Sequence, residues 1–206
     1  MAPVRKRPHS GAPDRPATWD DLLQRPEDTI REIVDGKLIV LPCPDRSHTQ
    51  VASDLGILLG ARFRFDNGRP GGWILLDKPC LRLGAEIRVP DLAGWRRERY
   101  VNLPRRGPIP VVPDWICEVL SPATEREDRT HKRVLYLREG VGHLWLIHPD
   151  LRTLEVHRRT EAGWLLAGMD AEERVAAEPF EAMELDLGLL FGPEEAPEEE
   201  QDAKGQ

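Results

Sequence analysis

A single acidic residue inside an apolar run constrains the fold of this chain more than any other feature. Residues 113–120 read Pro-Asp-Trp-Ile-Cys-Glu-Val-Leu, and this apolar, β-branched and aromatic composition predicts a strand. Because side chains alternate between the two faces of a strand, Glu118 should share a face with Ile116 and Leu120. Burying its carboxylate as an anion costs free energy unless a partner compensates the charge, and a bound cation is one such partner.

A second acid and a lysine could act together with Glu118. Asp91 follows a proline at the end of an earlier apolar run, and Lys132 lies on the helix predicted after residue 122. Two carboxylates can hold a hard divalent cation, and a nearby amine can position water or stabilise charge on a phosphate. Asp128 lies one helical turn before Lys132 and could hold its amine. The pattern predicts a metal site suited to phosphodiester hydrolysis, with Asp91 and Glu118 as the ligands.

Other residues are weaker candidates for the same site, namely Glu32, His48, Asp114 and Asp128. Asp114 is a rival metal acid because it also follows a proline, although an aspartate that opens a strand commonly bonds local backbone. His48 lies in the Ser-His-Thr-Gln sequence of residues 47–50, which fits a capping box at a helix start and could leave the histidine at the surface. Glu32 fits a surface strand position as well as a ligand position. Asp128 is expected to orient a neighbouring cationic side chain without touching a metal.

A cationic segment follows Asp91. Arg96, Arg97 and Arg99 crowd a short stretch that holds a single acid, and two more arginines follow at positions 105 and 106. Arginine side chains commonly contact phosphate oxygens. The segment therefore predicts a nucleic-acid-contacting loop beside the metal acids, and a solvated irregular loop is the alternative.

The rest of the chain predicts a mixed order of helices and strands. Helices are expected over residues 18–25 and 47–65, a hairpin with an Asp-Gly turn over 33–40, and strands near 73–76, 86–92, 114–120, 143–147, 153–157 and 164–167. The helix that carries Lys132 should begin with a capping box formed by Thr124 and Glu127, and it should end at Gly140. This order predicts an α/β fold.

Composition indicates one domain between two tails. A chain of 206 residues suits one compact domain, expected over residues 18–192. Residues 1–17 are rich in Pro and Arg, and residues 193–206 hold six acids and one lysine, so both tails are predicted to be disordered. The formal net charge is −7, and the domain between the tails is itself acidic because the N-terminal tail is cationic. An acidic domain is unusual for a nucleic-acid-binding protein, which makes local charge more informative than the total.

The cysteines and the hydropathy exclude several classes of protein. Three cysteines without CxxC spacing indicate neither a disulfide framework nor a zinc ribbon. No apolar run fits a secretory signal or a membrane span. The sequence therefore predicts a cytoplasmic protein with no membrane partner, and it leaves a homodimer open.

Two stretches resemble a known family: VPDLAGWR, and PDWICEVLSPATEREDRTHKRVLYLREGVGHLWLIHPDLRTLEVHR. Together they are similar to the Uma-two family of bacterial endonuclease-like proteins, within the PD-(D/E)xK restriction-endonuclease-like superfamily. The resemblance covers roughly residues 32–191 and is densest over residues 89–158. It implies a restriction-endonuclease-like mixed β-sheet flanked by helices. It also implies a divalent-metal-dependent endonuclease that uses Mg²⁺ or Mn²⁺ on a nucleic acid, with DNA favoured over RNA.

The resemblance also implies roles for individual residues. Asp91 matches the acid of the PD element, and Glu118 matches the acid of the (D/E)xK element. The lysine expected two positions later is Leu120, so the resemblance implies that Lys132 supplies the amine from the helix. Members of the superfamily often add an acid from the first helical region, for which Glu32 and His48 are the candidates. The displaced lysine and the acidic composition favour one alternative, an inactive nuclease-fold module that binds nucleic acid or protein. A third interpretation is a metal-dependent hydrolase of a small phosphoester.

Overall fold

The central architecture is a mixed β-sheet with helices on both faces. The computed structural model describes residues 15–24, 29–65, 72–170 and 174–192, so most of both predicted tails lies outside the described residues. The helices are α1 (Trp19–Leu23), α2 (Arg46–Leu59), α3 (Glu125–Glu127), α4 (Arg133–Glu139) and α5 (Leu187–Phe191). The strands are β1 (Arg31–Val34), β2 (Lys37–Val40), β3 (Trp73–Asp77), β4 (Leu81–Leu83), β5 (Glu86–Arg88), β6 (Leu92–Arg96), β7 (Trp115–Val119), β8 (His143–His148), β9 (Thr153–Thr160), β10 (Gly163–Asp170), β11 (Arg174–Val175) and β12 (Leu185–Asp186).

The largest sheet has six strands in the order β10-β9-β8-β7-β6-β3. Strands β7 and β8 run parallel, and the other neighbouring pairs are antiparallel. A parallel pair needs a crossover connection, which α3 and α4 provide. The predicted mixed sheet flanked by helices is confirmed.

A smaller sheet orders β2-β1-β5-β4 and begins with the predicted hairpin. Asp35 and Gly36 both have positive φ, of 49° and 71°, as a two-residue turn between twisted strands requires. Ala17, assigned to the tail by sequence, contacts this hairpin, because its amide donates to the Gly36 carbonyl at 2.7 Å.

The two faces of β7 pack into separate hydrophobic clusters. The cluster on the α2 side includes Val51, Leu55, Trp115, Cys117 and Val119. The cluster on the α4 side includes Ile116, Leu120, Leu135 and Tyr136. Glu118 therefore lies on the α4 face of the sheet, as the alternation predicts.

The strand predicted over residues 86–92 is wrong, because the structure divides it into β5 and β6. Pro90 lacks an amide hydrogen for a ladder. The Val89 amide donates to Glu32 Oε1 at 3.0 Å. The chain therefore turns between residues 88 and 92, and Asp91 lies immediately before β6.

Both predicted capping boxes are also wrong. The N-cap of α2 is Asp45, whose carboxylate accepts from the His48 amide at 2.8 Å, so this helix begins at Arg46. Thr124 precedes α3 without a side-chain cap. The helix containing Lys132 does end where predicted, since Gly140 has a left-handed φ of 95°.

The segment between α3 and α4 is a wide, π-type turn over Asp128–Lys132. Such turns interrupt the regular helix and occur frequently at functional sites.

The described helices are too short or too polar to span a bilayer.

Candidate active site

Two neighbouring strands bring Asp91 and Glu118 together. The antiparallel register of β6 and β7 pairs Leu92 with Cys117, so Asp91 and Glu118 occupy the next opposing positions. The Val119 amide donates to Asp91 Oδ2 at 2.8 Å, which extends the contact between the strands. The two predicted metal acids are therefore direct neighbours at one end of the central sheet.

Glu118 is almost completely buried and has two donors. Lys132 Nζ lies 3.0 Å from Oε2, and the Tyr136 hydroxyl donates to Oε1 at 2.5 Å. Burial raises the pKa of Glu118 to about 8, against the opposing effect of the Lys132 charge. The Lys132 charge therefore only partly offsets the burial that disfavours the ionised form of this carboxyl.

Asp91 has the opposite electrostatic balance. Burial alone would raise its pKa, but the His48 contact and the charges of Lys78 and Lys132 hold the pKa well below its usual range. His48 Nε2 lies 3.1 Å from Oδ2, and Lys78 Nζ lies 2.8 Å from Oδ1. Because a carboxylate only accepts, His48 donates from Nε2. Asp91 is therefore the ionised acid of the pair.

Lys132 links the helix to the strand acids. Its amine pairs with Glu118 at 3.0 Å and with Asp128 Oδ1 at 2.8 Å. Burial disfavours its charge, but the two carboxylates raise the pKa of Lys132 well above its ordinary value. Leu120, two positions after Glu118, is buried in the same cluster as Tyr136. Lys132 thus reaches Glu118 from the helix that packs on this face.

The acids and amines line one cavity of about 250 Å³. Its wall includes Asp91, Glu118, Asp128, His48, Lys78 and Lys132. Most of the rest of the wall comes from the segment after β2 and from residues 121–124. The cavity is a confined space in which a small ligand could contact both carboxylates.

The weaker candidates divide between this cavity and other places. His48 and Asp128 line the cavity and contact Asp91 and Lys132, respectively. Glu32 is fully buried behind it, where Oε2 accepts from the Arg88 guanidinium at 3.1 Å. Glu32 therefore supports the turn before Asp91 and is neither a surface residue nor part of the cavity wall.

Asp114 and the arginine segment lie at the far end of the sheet. Asp114 precedes β7, pairs with Arg99 and accepts from the Arg96 amide at 2.8 Å. Arg96 stacks on Trp73 at 4.2 Å, and Arg97 donates to the Arg64 carbonyl at 2.7 Å. Five residues of strand separate Asp91 from Arg96, which is about 16 Å. The expectation that these arginines lie beside the metal acids is wrong, and Asp114 does not join Glu118.

The donor chemistry of the cavity fits a hard divalent cation in part. Asp91 and Glu118 supply carboxylate oxygens, the ligand type that such cations prefer. Both carboxylates already pair with lysine amines, so each lies where a positive charge is stabilised. Within the described ranges, no group of three or more His, Cys, Asp or Glu side chains is arranged to hold a metal ion. Protein carboxylates alone would leave most of a coordination sphere to backbone and water oxygens.

The sequence patterns did not identify two residues that contact the acids, Tyr136 and Lys78. Tyr136 could have been found by spacing, because it lies one turn after Lys132 and so faces Glu118. Lys78 follows β3 outside any recognisable motif, and only the pairing of β3 with β6 brings it to Asp91. No local pattern in the sequence predicts the contact of Lys78.

Comparisons with known proteins identify the family and a similar fold. A crystal structure from Anabaena variabilis ATCC 29413, whose title describes a "putative nuclease belonging to DUF820", is similar with a TM-score of 0.68 and 24% identity, over 85% of this chain and 98% of that chain. No curated protein matches the sequence. Residues 19–188 match the Uma2 family, whose description is "Putative restriction endonuclease". The match spans most of the chain, and the chain belongs to the Uma2 family.

Proposed function

We propose that this protein is a divalent-metal-dependent endonuclease that hydrolyses phosphodiester bonds, with DNA as its substrate. The observation that supports this most strongly is the cavity in which Asp91 and Glu118, adjacent across two strands, meet the amine of Lys132. Membership of the Uma2 family supports the nuclease class. The metal, the DNA substrate and the residue roles are the proposal.

Asp91 and Glu118 would hold Mg²⁺ or Mn²⁺ through their carboxylate oxygens, together with a main-chain carbonyl of β7. When bound, the cation supplies Lewis-acid charge for the scissile phosphate and for the attacking water. His48 and the Val119 amide fix the orientation of Asp91 through Oδ2. Tyr136 fixes the orientation of Glu118 through Oε1. These contacts preorganise the ligands before any substrate arrives.

Lys132 is proposed to stabilise negative charge that develops on the phosphate or to position the water. Asp128 holds the Lys132 amine at 2.8 Å, and Glu118 holds it at 3.0 Å. A buried ammonium is a compact charge in a region of low dielectric constant, where its effect on a nearby anion exceeds that in water. The amine therefore needs little reorganisation during the reaction.

The test is incubation of the purified protein with supercoiled plasmid, linear duplex and RNA across a series of Mg²⁺ and Mn²⁺ concentrations. We expect metal-dependent nicking or cleavage of DNA, abolished in Asp91→Asn. Calorimetry should show weakened Mn²⁺ binding in the same variant, because an amide removes the ligand charge but keeps the shape. Undiminished Mn²⁺ affinity in Asp91→Asn would remove the assignment of this acid.

A non-catalytic binding module is the outcome if no substrate is cleaved at any metal concentration. A small phosphoester substrate is the outcome if an aryl phosphodiester is hydrolysed but DNA is not. Thermal denaturation provides a rapid first measurement, because a cation that binds only the folded protein raises its melting temperature.

A further inference from the structure

The two oxygens of Asp91 have unequal surroundings. Oδ2 faces two donors, the Val119 amide at 2.8 Å and His48 Nε2 at 3.1 Å. Oδ1 faces Lys78 Nζ at 2.8 Å, and no other donor to it occurs among the residues that the structure describes. A cation that binds Asp91 would therefore use Oδ1, where the Lys78 ammonium now lies.

The two amines of the cavity are held with very different strength. The Lys132 side chain is 5% exposed and lies between two carboxylates that are each 2% exposed. The Lys78 side chain is 30% exposed and pairs with a single carboxylate. Breaking a buried pair costs far more than breaking a partly exposed one. Lys78 is therefore the amine that can leave its partner.

The backbone keeps Lys78 at the cavity even when its amine leaves Asp91. Lys78 adopts a left-handed φ of 42°, which is unfavourable for any residue other than glycine. Its amide donates to the Asp91 carbonyl at 2.9 Å, so the main chains of the two residues remain joined. A displaced ammonium would stay at the cavity wall and face the solvent side.

We propose that Lys78 is an exchangeable counter-ion, which neutralises Asp91 Oδ1 in the metal-free protein and is released by metal binding to pair with the substrate phosphate. This inference rests on the proposed function. One positive group leaves Oδ1 as another arrives, so the buried carboxylate is never left without a cation. The same lysine then adds positive charge where a phosphodiester would enter.

Removal of the Lys78 amine should change metal affinity and the rate of cleavage in opposite directions. Without Lys78, a metal ion meets no competitor on Oδ1 and should bind more tightly, while a phosphate loses a cationic partner and should react more slowly. A residue that only stabilises the fold would not tighten metal binding. A residue that only contacts the phosphate would leave metal affinity unchanged.

The experiment is calorimetric titration of the full-length chain with Mn²⁺ alone. Lys78→Met and Lys78→Gln, two neutral side chains of similar length, should each bind Mn²⁺ about tenfold more tightly than the wild type. Lys78→Arg keeps a cation on Oδ1 and should bind near the wild-type affinity. Lys37→Met, at an exposed position of β2, is the matched control and should change nothing.

Two further arms make the outcome decisive. Asp91→Asn combined with Lys78→Met should lose the gain in Mn²⁺ affinity, which would trace the gain to this carboxylate. At saturating Mn²⁺, plasmid cleavage by Lys78→Met should be slower than by the wild type. Unchanged or weaker Mn²⁺ binding in both neutral variants would overturn the counter-ion role, even if the wild type cleaves DNA. Tighter Mn²⁺ binding with no cleavage by any variant, the wild type included, would support the release of the amine and overturn the nuclease proposal.

Discussion

Replacement of Lys132 by alanine should be the most destabilising single change in the cavity. The substitution leaves Glu118 and Asp128, each 2% exposed, without the amine that lies within 3.0 Å of both. Removing one partner of a buried ion pair costs about 3–5 kcal/mol, because the remaining charge stays buried without compensation. A loss of this size is a large fraction of the stability of an ordinary domain.

The loss should depend on pH, because Glu118 can respond by binding a proton. Burial already raises the pKa of Glu118 to about 8, and removal of the amine raises it further. A carboxyl whose pKa is higher in the folded protein than in the unfolded chain favours folding at low pH, and this contribution disappears as the pH rises through the folded pKa. The difference between Lys132→Ala and the wild type should therefore be larger at pH 8.5 than at pH 6.

Urea denaturation followed by tryptophan fluorescence measures this loss, since the chain has six tryptophans and Trp115 lies buried on β7, the strand that carries Glu118. Lys37→Ala, at an exposed position, is the control and should change the free energy of unfolding by less than about 0.5 kcal/mol. In Lys132→Ala, cleavage should be lost while Mn²⁺ binding persists, because lysine is not a ligand. Lys132→Arg should not restore cleavage, since a planar guanidinium differs in shape from an ammonium. A loss below about 1 kcal/mol at both pH values would refute the buried pairing.

Further predictions concern neighbouring groups and the arginine segment. Glu118→Gln should weaken Mn²⁺ binding in calorimetry and abolish plasmid cleavage, and retained affinity would argue against its role as a ligand. Tyr136→Phe removes a donor to buried Glu118 Oε1 and should cost about 1–3 kcal/mol in urea denaturation, whereas Tyr100→Phe, at the other tyrosine, should cost little. Replacement of Arg96, Arg97 and Arg99 by alanine should leave the salt dependence of DNA binding nearly unchanged, because these side chains are engaged within the protein at the far end of the sheet. A reduced salt slope would instead place that loop in the interface.

Local sequence patterns predicted much of the fold because they act over short distances. Alternation along residues 113–120 correctly placed Glu118 on the α4 face, and Gly140 correctly marked the end of the helix. Two capping boxes failed, because their residues are common and the true cap of α2, Asp45, lies two residues before the predicted one. The strand over residues 86–92 failed at Pro90, where a missing amide outweighs the apolar composition.

The site was predictable only where a motif or helical spacing determines it. The contact of Lys132 with Glu118 agrees with the geometry expected from a lysine moved to the helix. The contact of Lys78 with Asp91 depends on the pairing of β3 with β6, which joins residues distant in sequence. The arginine segment shows the opposite error. Its residues are close to Asp91 in sequence, but an extended strand places them at the other end of the sheet.

The position of Leu120 explains why the amine of this site comes from a helix. Leu120 is buried with Leu135 and Tyr136 in the cluster that attaches the crossover helix to β7. A lysine at position 120 would insert a charge into that cluster and leave the helix without its apolar contact. With leucine there, the helix packs closely enough for Lys132 and Tyr136 to reach the two oxygens of Glu118. The packing of the core and the assembly of the site are therefore one arrangement, and a change at Leu120 would alter both.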